Sequence, residues 1–334
     1  MNTGTNENFE IYYNSIYWND FPQVLEYMCE NYTGDNTKWW VRDFKERYCA
    51  KPFELALSLN CGNGWVEREM IDLGIAKEII AFDYSFDLLK IAESASKGRP
   101  IHYFQTDVNK LRLPKNTFDL VLNVAALHHV QYIDRLCQLL CNSLVEDGVM
   151  VSQDYFGPGR NQYPLHQWLL IKLFNYSLPA NLRRPRLVYP HLPTMLHTDP
   201  TEAIHSDLSI NTLERYFKIL ENHETGGGIV YEILAQNLAL KNASKETSDH
   251  LIKNLLKFDK TLTRLKLIPS LFSYLIAKPE KSTLENKNKL SEYSQNEEQR
   301  EMFARSHQGA YTRIQYWGLL LHKFQIQMSQ KSRR

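Results

Sequence analysis

Leu55-Ala56-Leu57-Ser58-Leu59-Asn60-Cys61-Gly62-Asn63-Gly64-Trp65-Val66-Glu67-Arg68-Glu69-Met70 is the stretch on which the chain turns. Its first five residues are an apolar run of strand length, Asn60 to Gly64 is a glycine-rich turn, and helical spacing starts at Trp65. A second apolar run, Glu78-Ile79-Ile80-Ala81-Phe82, ends on Asp83. Strand, glycine turn, helix, strand and terminal acid form the layout of a nucleotide-binding βαβ unit. Gly62 and Gly64 lack a Cβ, which lets the turn take positive φ and a ligand approach the backbone. Asp83, at the carboxyl end of the second strand, suits two vicinal ribose hydroxyls. The third glycine of the dinucleotide pattern is replaced by Glu67, so a nucleoside without phosphates is expected rather than a pyrophosphate.

Further units follow in order. Ser85 is placed to cap a helix over 86–95, Ile101 to Gln105 is a third strand before Thr106-Asp107, and Phe118 to Asn123 is a fourth. An amphipathic helix spans 133–144, Asp147-Gly148 reads as a turn, and Val149 to Gln153 is a fifth strand. Alternation of this kind implies a parallel sheet with right-handed crossovers. Ligands then bind beyond the carboxyl ends of the strands, where Gly62, Asp83, Asp107, Asn123 and Asp154 fall.

Four segments carry a resemblance: 57–64, Tyr103-Phe104-Gln105-Thr106-Asp107-Val108, Asn116-Thr117-Phe118-Asp119-Leu120-Val121-Leu122, and Leu144 to Val151. In order and spacing they resemble the class I S-adenosylmethionine-dependent methyltransferases. Ser58 stands where many members carry an acid, and Asn60 where many carry a first glycine. The resemblance implies an α/β, Rossmann-like, doubly wound and mostly parallel seven-stranded sheet. It also implies S-adenosyl-L-methionine as cofactor, with S-adenosyl-L-homocysteine as product. The cofactor contacts it implies are Asn60, Gly62, Gly64, Asp83, Tyr84, Asp107, Val108 and Asn123, with Asp107 at the adenine amino group. The last strand, Ser270 to Ala277, is expected to close the sheet as an antiparallel edge.

Around this core, residues 1–50 are helical and aromatic-rich. They suit either a lid over the cofactor mouth, with Trp39, Trp40 and Arg42 facing it, or a helix pair packed on the sheet edge. The core is expected over 51–279, with a substrate cap inserted at 155–210. Within the cap, Asp199 and Pro200 read as the start of a short helix. A Tyr-Phe-Gly-Pro-x-Arg-x-Gln loop from Tyr155 and an Asp-Pro-x-Glu-Ala-Ile-x-Ser turn from Asp199 resemble a bacterial methyltransferase subgroup, some of it found among surface-glycan or natural-product genes. His205 stands where arginine is expected there. From this come candidate substrate contacts at Asp154, Arg160, Glu202 and His205. Residues 280–334 read as a polar linker and an amphipathic helix, either docked on the core or pairing two copies as a homodimer.

Methyl transfer from a sulfonium is an in-line displacement that needs alignment, and a base only when the acceptor keeps its proton. His128 and His129, just after the fourth strand, are the candidate bases, the alternative being that both cap and pack. Tyr155 is a further catalytic candidate. The acceptor is expected to be a hydroxyl or amine of a small molecule, a glycan or a peptide. A net charge of +1 and the lack of a basic domain speak against nucleic acid. A non-catalytic cofactor-binding partner is the remaining class.

The 334 residues, 43% hydrophobic and 23% charged, have the composition of a globular protein. The 19 tyrosines could line a cavity or pack the core. The first residues lack a basic head and an apolar segment, so no signal or transit peptide is expected, and no run approaches the ~18 apolar residues of a membrane span. Five scattered cysteines suit reduced thiols and a cytoplasmic location. Cys137 and Cys141, at i,i+4, read as buried thiols rather than metal ligands. No metal site is expected.

Overall fold

The computed structural model describes residues 16–286. Seven strands form one sheet: β1 (Phe53–Leu59), β2 (Ala76–Asp83), β3 (Ile101–Gln105), β4 (Phe118–Val124), β5 (Leu144–Tyr155), β6 (Phe217–Gly226) and β7 (Phe272–Pro279). Their spatial order is β3-β2-β1-β4-β5-β7-β6. The first five are parallel; β7 runs antiparallel to both β5 and β6. The sheet is therefore the doubly wound, mostly parallel one expected, with one correction. The last strand is antiparallel but lies inside the sheet, and β6 is the edge. The composition of β7 explains it: Ser273 to Ala277 are all buried, whereas β6 alternates buried or half-buried with exposed positions, as a strand with a wet face does.

The helices, in chain order, are α1 (Pro22–Thr33), α2 (Trp40–Tyr48), α3 (Trp65–Asp72), α4 (Phe86–Ala95), α5 (Ile133–Ser143), α6 (Leu165–Ser177), α7 (Leu192–Thr198), α8 (Ser209–Tyr216), α9 (Val230–Leu234), α10 (Leu238–Lys241), α11 (Lys245–Arg264) and α12 (Ser282–Glu285). Ser85 caps α4, its Oγ accepting from the Leu88 N–H. Pro22 opens α1 and Gly34 ends it at φ 78°, the usual proline-first, glycine-last asymmetry.

Three local readings change. Asp147-Gly148 is not a turn ahead of β5 but part of it. Phe118 pairs with Leu144 and Leu120 with Val149, so residues 145–148 bulge out of register. The short helix expected at Asp199 is instead α7, which stops there, and Pro200 to Ala203 form a turn. The sequence over 229–241 predicts one helix, and the structure splits it into α9 and α10, Gln236 taking φ 57° between them.

One buried apolar cluster covers one face of the sheet. It joins Trp18, Phe21, Tyr32, Trp40 and Phe44 of the N-terminal part to Leu120 and Val151 of the sheet, and to Tyr163, Trp168, Ile171, Leu187 and Tyr189 of the cap. A second cluster, with Leu136, Cys137, Leu140, Cys141 and Leu213, covers the other face. Cys137 and Cys141 are buried, and neither forms a disulfide among the described residues. The described N-terminal helices pack at the β6–β7 side: Trp40 stacks near Tyr274 at 5.6 Å and Gln153 donates to the Tyr32 hydroxyl at 3.1 Å. Trp40 is buried and Arg42 is exposed on the other side of α2. The expected linker and C-terminal helix beyond residue 286, with any pairing through it, lie outside the described residues, as do residues 1–15. Among the described residues no helix is long and apolar enough to cross a membrane.

Candidate functional site

The cofactor side is built where β1 and β2 end. Asn60, Gly62 and Gly64 take φ of 43°, 56° and 75°, so three of five turn residues are left-handed, which is why two are glycines and one asparagine. The turn is pinned by the Cys61 N–H to the Phe82 carbonyl at 2.9 Å. The Gly62 N–H donates to Asp83 Oδ2 at 2.9 Å, and the Ser85 N–H to Asp83 Oδ1 at 2.7 Å. Asp83 is buried, and burial raises its pKa against these backbone bonds. Each oxygen keeps a further lone pair for a hydroxyl donor. Tyr84, next along, presents a ring that is 72% exposed. The residues present therefore fit an adenosyl group: a polar carboxylate edge, a glycine turn and an open aromatic face.

Other sequence candidates have different local jobs. A Cβ on Gly64 would lie 2.3 Å from the Tyr103 hydroxyl, so this glycine serves helix–strand packing as well as the turn. Glu67 does not obstruct the turn but folds under it. Its carboxyl is buried, bonded to Ser58 Oγ, and burial lifts its pKa to about 7. Asp107 caps the following turn: its Oδ1 accepts from the Asn109 N–H at 2.9 Å, while Oδ2 stands 3.6 Å from Lys110 Nζ. Val108 is buried beneath it. Asn123 is wholly buried and donates to Ser152 Oγ at 2.7 Å and to Asp154 Oδ2 at 2.9 Å. That placement makes it support for Asp154, not a contact on the open crevice.

The second half of the site hangs from β4. Ala125 takes φ 52° and turns the chain into a single 3-10 turn, Leu127–His129. Asn60 reaches it by donating to the Ala126 carbonyl at 3.5 Å, which sets the histidine turn beside the glycine turn. Asp154 is the hub. Fully buried, its Oδ2 accepts from the Ala126 and Leu127 N–H groups at 3.2 and 2.7 Å. Its Oδ1 accepts from the Tyr155 N–H at 2.7 Å and from His128 Nδ1 at 2.5 Å. Burial would raise its pKa, but His128 and the hydrogen bonds lower it. Burial likewise acts to lower the His128 pKa; the Asp154 charge and hydrogen bond reverse this and carry it to about 9. His129 is lowered by burial and by His128 beside it. The two rings lie 4.0 Å apart.

The cap brings Glu202. The Ile204 N–H donates to the His128 carbonyl at 3.0 Å and the Arg160 N–H to the Ala203 carbonyl at 2.6 Å. Thr201 is fixed by Asp199, which accepts from its N–H at 2.8 Å and its hydroxyl at 2.7 Å. Thr201 Oγ1 meets His129 Nδ1 at 3.2 Å. Glu202 Oε2 thereby stands 3.9 Å from both His128 Nε2 and His129 Nε2.

Of the remaining candidates, Arg160 donates to the Pro200 and Glu202 carbonyls. It clamps the turn that carries Glu202, and burial lowers its pKa. Tyr155 is buried, its hydroxyl donating to the Pro158 carbonyl at 3.3 Å and its ring 6.2 Å from His128; it is a wall of the site. His205 precedes the 3-10 turn Ser206–Leu208, its carbonyl accepting from the Leu208 N–H. Sequence reasoning overlooked Ser152, Asp199 and Thr201. The Asp-x-Thr spacing at 199–201 is an Asx-turn signal that could have found the last two.

Residues 57–152 match the family described as a methyltransferase domain. The match covers 96 of the 334 residues and supports a class I S-adenosylmethionine-dependent methyltransferase domain in this segment. Family and fold together imply S-adenosylmethionine as the cofactor. A malonyl-[acyl-carrier protein] O-methyltransferase of Bacillus cereus is 24% identical over 107 residues, 32% of this chain and 39% of that protein. The mitochondrial arginine-hydroxylase NDUFAF5 of Rattus norvegicus is 32% identical over 113 residues, 32% of this chain and 31% of that protein. The chain thus spans less than two-fifths of the length of these curated relatives. Among solved structures, an S-adenosylmethionine-dependent methyltransferase from Mesorhizobium loti aligns with 20% identity over 72% of this chain and 96% of that one, at a TM-score of 0.45.

Proposed function

We propose that this chain transfers a methyl group from S-adenosylmethionine to a hydroxyl or amine of a small molecule, glycan or peptide held over the His128–His129–Glu202 face. One observation carries the reading: the Asn60–Ala126 contact sets the adenosyl-fitting turn and Asp83 beside a histidine–carboxylate cluster under the cap. When bound, the cofactor supplies a methyl group already activated on a sulfonium. Asp83 and the Gly62 turn would hold its ribose, Tyr84 would cover its adenine, and Asp107 Oδ2 is the acceptor left for the adenine amino group. His129, the more exposed of the pair and oriented by Thr201, takes the acceptor's proton. Asp154 and Arg160 position His128 and Glu202 around it.

Calorimetry with S-adenosylmethionine and S-adenosylhomocysteine tests the first half. Saturable binding by the native chain is expected, and none at millimolar ligand would sink the proposal. Transfer of labelled methyl into panels of hydroxylated small molecules, glycans and peptides tests the second. His129→Ala is expected to slow that transfer about 10²–10⁴-fold with cofactor affinity retained. Unchanged turnover would remove the base role. Cofactor binding without transfer to any panel, or salt-dependent transfer to RNA or DNA alone, would favour the partner or nucleic-acid classes.

A further inference from the structure

We propose that His128, His129 and Glu202 bind a divalent first-row transition-metal cation. Their ligand atoms all lie within 4.8 Å of one another. Glu202 Oε2 is 3.9 Å from both Nε2 atoms, too far for a hydrogen bond. The Glu202 carboxylate makes no hydrogen bond among the described residues, so three donors converge on a gap without satisfying each other. Bonds of about 2.0–2.2 Å to one cation separate neighbouring ligand atoms by about 3–3.5 Å, so the two Glu202–histidine gaps of 3.9 Å close by about half an ångström and the widest pair, within 4.8 Å, by up to about 1.5 Å, which rotation of the side chains supplies.

The groups behind the three ligands point the same way. Asp154 takes His128 Nδ1 and Thr201 takes His129 Nδ1. Both rings are therefore turned with Nε2 toward Glu202, the carboxylate–histidine–metal arrangement by which outer partners aim imidazole ligands. Backbone bonds from Ile204 to His128 and from Arg160 to Ala203 fix the two turns relative to each other. Asp199, with Oδ2 4.0 Å from His129 Nδ1, and Asp154 add negative charge behind the site. Two imidazoles and one carboxylate suit zinc, iron(II) or cobalt(II), not the all-oxygen preference of calcium or magnesium. Three protein ligands leave positions open. On the proposed methyl-transfer reading, and only for this role, those positions face the acceptor, whose oxygen or nitrogen the cation would hold and acidify; with Nε2 on the cation and Nδ1 on Thr201, His129 is then a ligand and the cation takes over the base's task.

The test uses the full chain stripped with a chelator and titrated with cobalt(II), followed by visible absorbance and calorimetry. One saturable equivalent is expected. His129→Ala and Glu202→Gln should each weaken it by about 100-fold or more, and Asp154→Asn by about 10–100-fold. His102→Ala, at an exposed pair with Glu78 remote from the site, should leave it unchanged. Absence of a saturable equivalent, or its survival in both His129→Ala and Glu202→Gln, overturns the site. S-adenosylmethionine calorimetry on the stripped proteins shows that each variant is folded and separates the two proposals. Cofactor binding without cobalt binding sinks the metal site alone; cobalt binding without cofactor binding sinks the methyltransferase reading alone.

Discussion

Asp83 and Glu67 are both buried carboxyls, with opposite jobs. Asp83 accepts two backbone N–H groups at a strand end, and its remaining lone pairs are the natural site for ribose hydroxyls. Hydrogen bonds to a charged acceptor are worth about 1.5–3 kcal/mol each. Asp83→Asn should therefore weaken S-adenosylmethionine by about 10–100-fold while leaving the fold intact, read by calorimetry against the native chain; equal affinities would mean the ribose lies elsewhere. Among the described residues the Glu67 carboxyl accepts from the Ser58 hydroxyl, and its Oε2 finds no partner. Burial raises its pKa from 4.5 to about 7, so the folded chain holds this proton more tightly than the unfolded chain. Its contribution to stability is complete below about pH 4.5 and is lost as pH climbs through about 7, up to about 3 kcal/mol in all. Urea midpoints of native protein and Glu67→Gln should diverge across that window, the variant staying flatter. Superimposable pH profiles would show that Glu67 is ionised at no cost.

At the scale of elements, the turn between β6 and α9 shows how one side chain sets a junction. Gly226 and Gly227 both take φ 88°, and a Cβ on Gly226 would meet Asp259 Oδ2 and the Tyr27 hydroxyl at 2.5 Å. Asp259, from α11, is fully buried and accepts from the Gly227, Ile229 and Val230 N–H groups at 2.8, 2.7 and 3.3 Å. Three buried donors lose their acceptor in Asp259→Ala, a cost of about 3 kcal/mol or more, which a denaturant titration would read as a lowered midpoint. A midpoint within about 0.5 kcal/mol of native would mean water replaces the carboxylate. Gly226-Gly227-Gly228 reads as a tight turn from the sequence alone, but its buried acid does not, because Asp259 sits 33 positions beyond Gly226 on an ordinary-looking helix.

The same contrast runs through the other elements. Parallel strands largely withdrawn from water are apolar runs, so β1, β2 and β4 were legible; β3 is a half-exposed edge legible from its place before Thr106-Asp107, and Ser85 marked α4 through its cap. The bulge in β5 was not, since Asp147-Gly148 has turn chemistry whether or not a partner strand continues past it. The inward place of β7 depends on long-range pairing that no local pattern records. In the site, Asp83 and the two histidines were legible from position alone. The hub role of Asp154 and the clamp role of Arg160 were not, because both depend on which backbone groups the fold brings within reach.

For the whole molecule, the segment 155–210, expected as a cap, and the N-terminal helices share one apolar cluster with the sheet, so the packing of this segment is continuous with the core. Its polar tie is Glu232 of α9, which accepts from the Tyr163 hydroxyl at 3.1 Å and pairs with Arg184 at 2.7 Å. All three side chains are largely withdrawn from water, and a charge stranded by loss of its partner at such a site costs about 3–5 kcal/mol. Glu232→Ala should accordingly lower a single melting transition, seen together by tryptophan fluorescence taken as the difference from a Trp168→Phe chain, which separates Trp168 from the other five tryptophans, and by far-ultraviolet circular dichroism, which reports the sheet and helices. A continuous core gives the cap no separate melting unit, so both signals should shift by the same amount. If the fluorescence transition moved down alone while the dichroism transition stayed put, the cap would be an independent unit, and the rigid seating of Glu202 over the two histidines would have to come from the bound ligand instead.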